Sequence, residues 1–142
     1  MRQIHTLLER FHNVDLGILF IRLALAAAFI FHGWQKIQAI DVTAGFFAQG
    51  GIDWVFGALF WTYVVAYAEF LGGIALLLGV FVRYAGIVLA VAMAVAVFYV
   101  HWQGGFSLAN NGYEYALTLL LASLALVTTG GGAYSLAKIF RK

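Results

Sequence analysis

The stretch LGILFIRLALAAAFIFHGWQKI, residues 16–37, is apolar along nearly its whole length, and its ionisable interruptions are Arg22, His32 and Lys36. About 20 consecutive apolar residues suffice for a helix to cross a bilayer, so this segment reads as a membrane crossing. Three further runs follow at 56–80, 83–101 and 113–129. Glu69 is the only formal charge inside the second, Arg83 marks the turn into the third, and Glu114 begins the fourth. The expected fold is an all-α integral membrane protein, a four-transmembrane-helix bundle forming one domain over residues 1–142.

Composition excludes the soluble alternative. Of 142 residues, 64% are hydrophobic and 10% are charged, with a mean hydropathy of +0.94. A soluble domain carries about a quarter charged residues, which this chain could not supply to its surface. There is no cysteine, so disulfides, thiolate chemistry and thiolate-held iron–sulfur clusters are out, and without proline nothing local forces a helix to kink. The net charge of +2 sits mostly at the termini and gives no nucleic-acid surface.

Residues 1–14 set Arg2, His5, Glu9, Arg10 and His12 against Ile4, Leu7, Leu8 and Phe11 at helical spacing. They read as an interfacial helix and not as a signal peptide. With four crossings, Arg2, Arg10, Arg83, Lys138, Arg141 and Lys142 fall on one side and only Lys36 on the edge of the other. Basic residues favour the cytoplasm, so both termini are expected there, in a multi-pass protein of the inner membrane. The 38–55 connection, with Phe46-Phe47 between glycines, is either interfacial or a shallow re-entrant lid. Small residues spaced by four, among them Ala24 and Ala28, Ala68 and Gly72, and Ala92 and Ala96, mark faces where helices can approach closely.

Ionisable groups inside hydrocarbon are costly and face a partner or a cavity. Counting from the cytoplasmic helix ends at about 1.5 Å per residue puts Arg22 at about 12 Å and Glu69 at about 16 Å, so an Arg22–Glu69 ion pair is expected. Nearer the outer boundary, His32 and Lys36 share one face of the first helix, while His101 ends the third and Glu114 starts the fourth. They suggest an outward-opening pocket, with Tyr63 and Tyr67 added from the second helix. The bland readings are that Lys36 snorkels, Glu114 caps its helix, and Trp34, Trp54 and Trp102 form an aromatic belt. Facing histidines suit b-type haem, yet both lie toward one end and no second pair exists. His32, His101 and Glu114 lack a diagnostic metal spacing, so no metal is expected. Histidines and tyrosines can also hydrogen-bond the oxygens of a quinone whose tail stays in lipid.

Arg22 followed by Phe31-His32-Gly33-Trp34-Gln35-Lys36, then Glu69-Phe70-Leu71-Gly72-Gly73 with Leu78-Gly79 and Arg83, resembles the DoxX family of small bacterial and archaeal membrane proteins. His101 near Gly105-Phe106, Glu114, and the tail Gly130-Gly131-Gly132-Ala133-Tyr134-Ser135-Leu136 extend the resemblance from about Asp15 onward. The tail departs from the family pattern at Gly131, Ala133 and Ala137, where a proline, a basic residue and an acid are expected. The resemblance implies a membrane subunit of oxidoreductase systems, including thiosulfate oxidation coupled to quinone reduction and oxidative-stress assemblies.

The chain has neither thiols nor a dinucleotide fingerprint, so a quinone-linked accessory subunit is favoured over an enzyme acting alone. Its partners would be membrane lipid, a quinone, and a soluble redox protein or further copies of itself. The catalytic candidates are Glu69, His32, His101, Glu114 and Lys36, and the cofactor-binding candidates are Arg22, Tyr63, Tyr67 and Trp34. A scaffold that recruits a redox enzyme and a small-solute transporter are the alternatives.

Overall fold

A computed structural model describes residues 13–140; the interfacial segment expected at the N-terminus lies almost entirely outside them. Among the described residues the chain is all-helical, with no strand. Helix α1 runs Val14–Gln38, α2 Ile40–Gln49, α3 Gly57–Leu78 and α4 Val82–Val95. Without a break α4 continues as a π turn, Ala96–Val100, and two 3-10 turns, Trp102–Gly104 and Leu108–Asn110, lead to α5, Glu114–Thr129. A last short helix, α6, spans Leu136–Ile139.

Helix ends follow from local chemistry. The Asn13 side chain accepts the Leu16 amide at 3.0 Å, so α1 starts two residues before the apolar run does. At the other end of the hairpin, α3 stops at Leu78 because Gly79 takes a left-handed conformation with φ 72°. The Val80 N–H then reaches the Ala75 carbonyl at 3.0 Å and the Gly79 N–H the Leu76 carbonyl at 3.2 Å, a Schellman closure. A β-carbon at Gly79 would stand 2.7 Å from Ser135 Cβ and 2.8 Å from Arg22 Nη1, so glycine is needed for space as well as for φ.

Three helical segments, Val14–Gln38, Gly57–Leu78 and Val82–Val100, are long and apolar enough to cross a membrane. The fourth, Glu114–Thr129, is apolar but shorter, with 16 residues or about 24 Å of rise. Large apolar side chains such as Phe20, Phe31, Leu71, Val91 and Leu121 are exposed around the bundle, which suits a lipid solvent and would be a liability in water.

The tightest packing is between antiparallel α1 and α3. A β-carbon at Gly33 would lie 2.5 Å from the Phe70 backbone nitrogen, and one at Gly73 would lie 2.8 Å from that of Ile30. Backbone therefore meets backbone at two points one turn apart, which fixes the register of the pair. Residue 33 is level with 70 and residue 30 with 73, so Glu69 stands beside the C-terminal end of α1, close to Lys36. Arg22 is level with the turn after α3, about 18 Å further down the bundle.

Helix α2 folds back along α3 and buries Phe47, while Ile52 behind it is 2% exposed. The 38–55 connection is thus largely helical and forms a wall of the cavity described next. Trp54, beyond it, packs edge-on against Trp61 and Tyr99.

Candidate functional site

Between the helices, at the end of the bundle that carries the 101–113 loop, lies a cavity of about 340 Å³. This falls within the range of small-molecule sites, about 300–1,000 Å³. Most of its wall is apolar, with Phe29, Phe47, Met93 and Leu119 prominent. The polar groups are few and come from four helical segments: His32 and Lys36 on α1, Glu69 on α3, His101 after the π turn, and Tyr115 on α5.

Their placement follows from helical geometry. Phe29, His32 and Lys36 fall at i, i+3 and i+7 on one face of α1, as Val65 and Glu69 fall at i and i+4 on α3. The π turn is closed by the His101 N–H bonding to the Ala96 carbonyl at 2.9 Å, one residue beyond the α pattern. That extra residue widens α4 next to the cavity and sets where His101 stands, a common use of π turns at functional sites.

The Lys36 ammonium meets Glu69 Oε2 at 2.5 Å, with the Glu69 side chain 2% exposed and that of Lys36 25%. This corrects the ion pair expected for Arg22 with Glu69. Arg22, 2% exposed, instead donates from Nε to the Leu76 carbonyl at 2.8 Å and from Nη2 to Leu77 at 3.3 Å. Its Nη1 donates to the carbonyls of Gly131 at 2.7 Å and Tyr134 at 3.0 Å. Arg22 thereby ties the last turn of α3 to the C-terminal tail, away from the cavity wall. The expectation failed because it counted depth from each helix end as though the ends were level, and the glycine contacts between α1 and α3 make them staggered.

His32 Nε2 lies 3.4 Å from the Tyr115 hydroxyl, with the rings edge-to-face at 5.8 Å. His101 Nδ1 lies 3.0 Å from the Asn111 carbonyl. A carbonyl oxygen only accepts, so Nδ1 carries the hydrogen, and in the neutral ring Nε2 keeps its lone pair.

The other candidates stand elsewhere. Glu114 accepts the Leu108 amide at 2.8 Å and gives its own N–H to Phe106 at 2.9 Å, so it binds the loop to the start of α5 outside the cavity wall. Among the described residues it does not join the two histidines in a metal-binding cluster. Tyr63 and Tyr67 stack on each other at 6.4 Å on an exposed face, and Trp34 packs against Phe70 at 5.8 Å. Tyr67 precedes Glu69 by two residues, about 200° around a helix, so the two point to opposite sides. Tyr115 joins the cavity without being among the residues the sequence singles out. It sits on α5 one turn before Leu119, and the helix is apolar on every side, so periodicity alone does not single it out.

A buried ion pair is weak evidence for stability, because apolar residues of like volume often hold a fold equally well. Lys36 and Glu69 facing an apolar cavity, with two histidines and a tyrosine, form a site able to bind a ring oxygen, compensate an anion and pass a proton.

The sequence model of the DoxX family matches residues 17–102, which takes in almost all of α1, all of α2, α3 and α4, and the π turn. An uncharacterized protein of Haemophilus influenzae is 37% identical over 130 residues, covering 87% of this chain and 90% of that protein. The Bacillus subtilis protein named "Putative oxidoreductase CatD" is 30% identical over 118 residues, 83% of this chain and 82% of its own. The inner membrane protein YqjF of Escherichia coli is 28% identical over 128 residues, 90% and 95% of the two chains. No solved structure matches. Matched from α1 to Trp102 by the family's own sequence pattern, and over most of their length by these relatives, the chain belongs to the DoxX family.

Proposed function

We propose that the chain is a membrane subunit of a quinone-linked oxidoreductase system and that the cavity holds the quinone ring. The observation that carries this reading is the Lys36–Glu69 pair at the wall of a largely apolar chamber of about 340 Å³. Membership of the DoxX family and the likeness to a protein named as an oxidoreductase support it. Lys36 stabilises negative charge developing on a ring oxygen, and Glu69 exchanges the accompanying proton. The electrons come from a soluble redox partner, since the chain has no thiol to supply them.

The test is calorimetric titration of the protein in nanodiscs with a short-chain benzoquinone and, separately, with its reduced form. At least one form should bind saturably at one site per chain, and Lys36→Ala should weaken that binding about tenfold or more. Absence of saturable binding by both forms would overturn the proposal.

In the proposed arrangement α1, α3, α4 with its π turn, and α5 all cross the inner membrane, and both termini are cytoplasmic. The cavity then opens toward the outer side. Helix α5 is short for a bilayer of about 30 Å, but Trp102 and Tyr113, stacked at 5.2 Å, supply aromatic anchors beside its start. Because the chain has no cysteine, labelling single replacements gives a clean reading. Asn110→Cys in intact cells should react with a membrane-impermeant maleimide and Lys138→Cys should not; the reverse pattern means the orientation is inverted.

A further inference from the structure

The hydrogen-bonding capacity left over in the cavity is unequal. His101 gives its Nδ1 hydrogen to the Asn111 carbonyl at 3.0 Å. That carbonyl is held by the loop: Asn111 has φ 58°, its N–H bonds to Leu108 at 3.0 Å, and Gly112 bonds to Ser107 at 2.9 Å. Glu114 fastens the same loop through the Leu108 amide. The ring is thus locked in the tautomer whose Nε2 accepts, and Nε2 has no hydrogen-bond partner among the described residues.

Glu69 is the second case. Its Oε2 takes the Lys36 ammonium, whereas Oε1 has no protein partner among the described residues and keeps some access to the cavity. His32 Nε2 and the Tyr115 hydroxyl share one hydrogen bond at 3.4 Å, which leaves the pair one further hydrogen, on His32 Nδ1 or on the hydroxyl according to the tautomer. What the cavity offers a ligand is therefore two unpartnered acceptors, Glu69 Oε1 and His101 Nε2, with donors from the remaining hydrogens of Lys36 and from the one left on the His32–Tyr115 pair.

Resting on the quinone-site reading above, we infer that this cavity selects the reduced, hydroxyl-bearing form of its ligand, a dihydroxyaromatic quinol, over the oxidised quinone. A quinol brings two O–H donors to meet the two acceptors, and each of its oxygens still accepts, so Lys36 is served as well. A quinone brings only lone pairs and sets carbonyl oxygens against Glu69 Oε1 and His101 Nε2. Acceptors that a bound ligand covers without supplying donors are costly, and sites built to bond a hydroxyl discriminate strongly against ligands that lack it. His101 is here a specificity-determining residue, and its loop, with Glu114 as the fastening, is what keeps it an acceptor.

The experiment is anaerobic calorimetric titration of the full chain in nanodiscs with a short-chain quinol, the matching quinone, and the dimethyl ether of the quinol. The quinol should bind about tenfold or more tightly than the quinone, and the ether, which keeps the ring but has no O–H, should bind as weakly as the quinone. His101→Phe should weaken the quinol about tenfold while leaving the quinone within about twofold. The ether comparison uses the unaltered chain and so decides the matter even where His101→Phe does not fold. Equal binding of quinol and quinone, tighter binding of the quinone, or an ether as tight as the quinol overturns the selectivity and leaves the quinone site standing. Failure of quinol and quinone alike to bind overturns both.

Discussion

Lys36→Met is expected to destabilise the chain by roughly 2–4 kcal/mol, and the double replacement Lys36→Met/Glu69→Leu to recover most of that loss. Removing the ammonium leaves the Glu69 carboxyl, 2% exposed, in an apolar cavity without the partner it meets at 2.5 Å. It must then either stay charged without compensation or take up a proton, and both are unfavourable. Lys36 keeps 25% of its side chain exposed, which places the effect below the largest seen for fully buried pairs. Removing both charges removes the penalty together with the attraction. Unfolding in one detergent, followed for the unaltered chain, both single variants and the double, gives the coupling directly. A double variant as unstable as the sum of the two singles would mean that the pair is not coupled. The double variant should also fold yet fail to bind either redox form in the nanodisc titration, separating the site's chemistry from the fold's stability.

Which residues share the cavity was legible in the sequence only in part, and the reasons are geometric. His32 and Lys36 lie four apart, so a common face was readable, and Glu69 was conspicuous as the one formal charge in its run. The partner of Glu69 was not readable. It depends on the stagger between α1 and α3, which is set where Gly33 meets Phe70 and Gly73 meets Ile30, and no count along a single helix contains that offset. The same limit applies around the axis. In an amphipathic helix a polar face tells which way a residue points, but α3 and α5 are apolar all round, so a step of about 100° decides the outcome without leaving a pattern. Tyr115 lines the cavity while Glu114, one residue earlier, secures the loop. Val65 lines it with Glu69, whereas Tyr63 and Tyr67 stack together on the outside. The π turn was equally hidden, because Ala96–Val100 is as apolar as the helix it extends.

Arg22→Met is expected to cost about 4 kcal/mol or more and to release the C-terminal tail. The guanidinium makes four hydrogen bonds, to the carbonyls of Leu76, Leu77, Gly131 and Tyr134, and hydrogen bonds to a charged group contribute about 1.5–3 kcal/mol each, though not additively. Two of those carbonyls belong to the last turn of α3, where the helix supplies no partner of its own. Methionine fills much of the same volume and donates nothing. Arg22→Lys should fall between the two, because one ammonium cannot reach acceptors spread over α3 and the tail as a planar fork does. Limited digestion with trypsin reports the tail: cleavage after Lys138 should speed up in Arg22→Met, alongside a lower unfolding temperature. Unchanged values of both would show that the clasp contributes nothing. The clasp is built on the backbone of the tail. Arg22 binds carbonyl oxygens of the tail, Asp15 Oδ1 accepts the Ala133 amide at 2.7 Å, and Ser135 Oγ donates to the Gly132 carbonyl at 2.9 Å. Every one of these contacts on Gly131, Gly132 and Ala133 is to backbone, so they do not depend on the side chain at 133, whereas a β-carbon at 131 would press on Ser135 and Val82 at 3.0–3.2 Å.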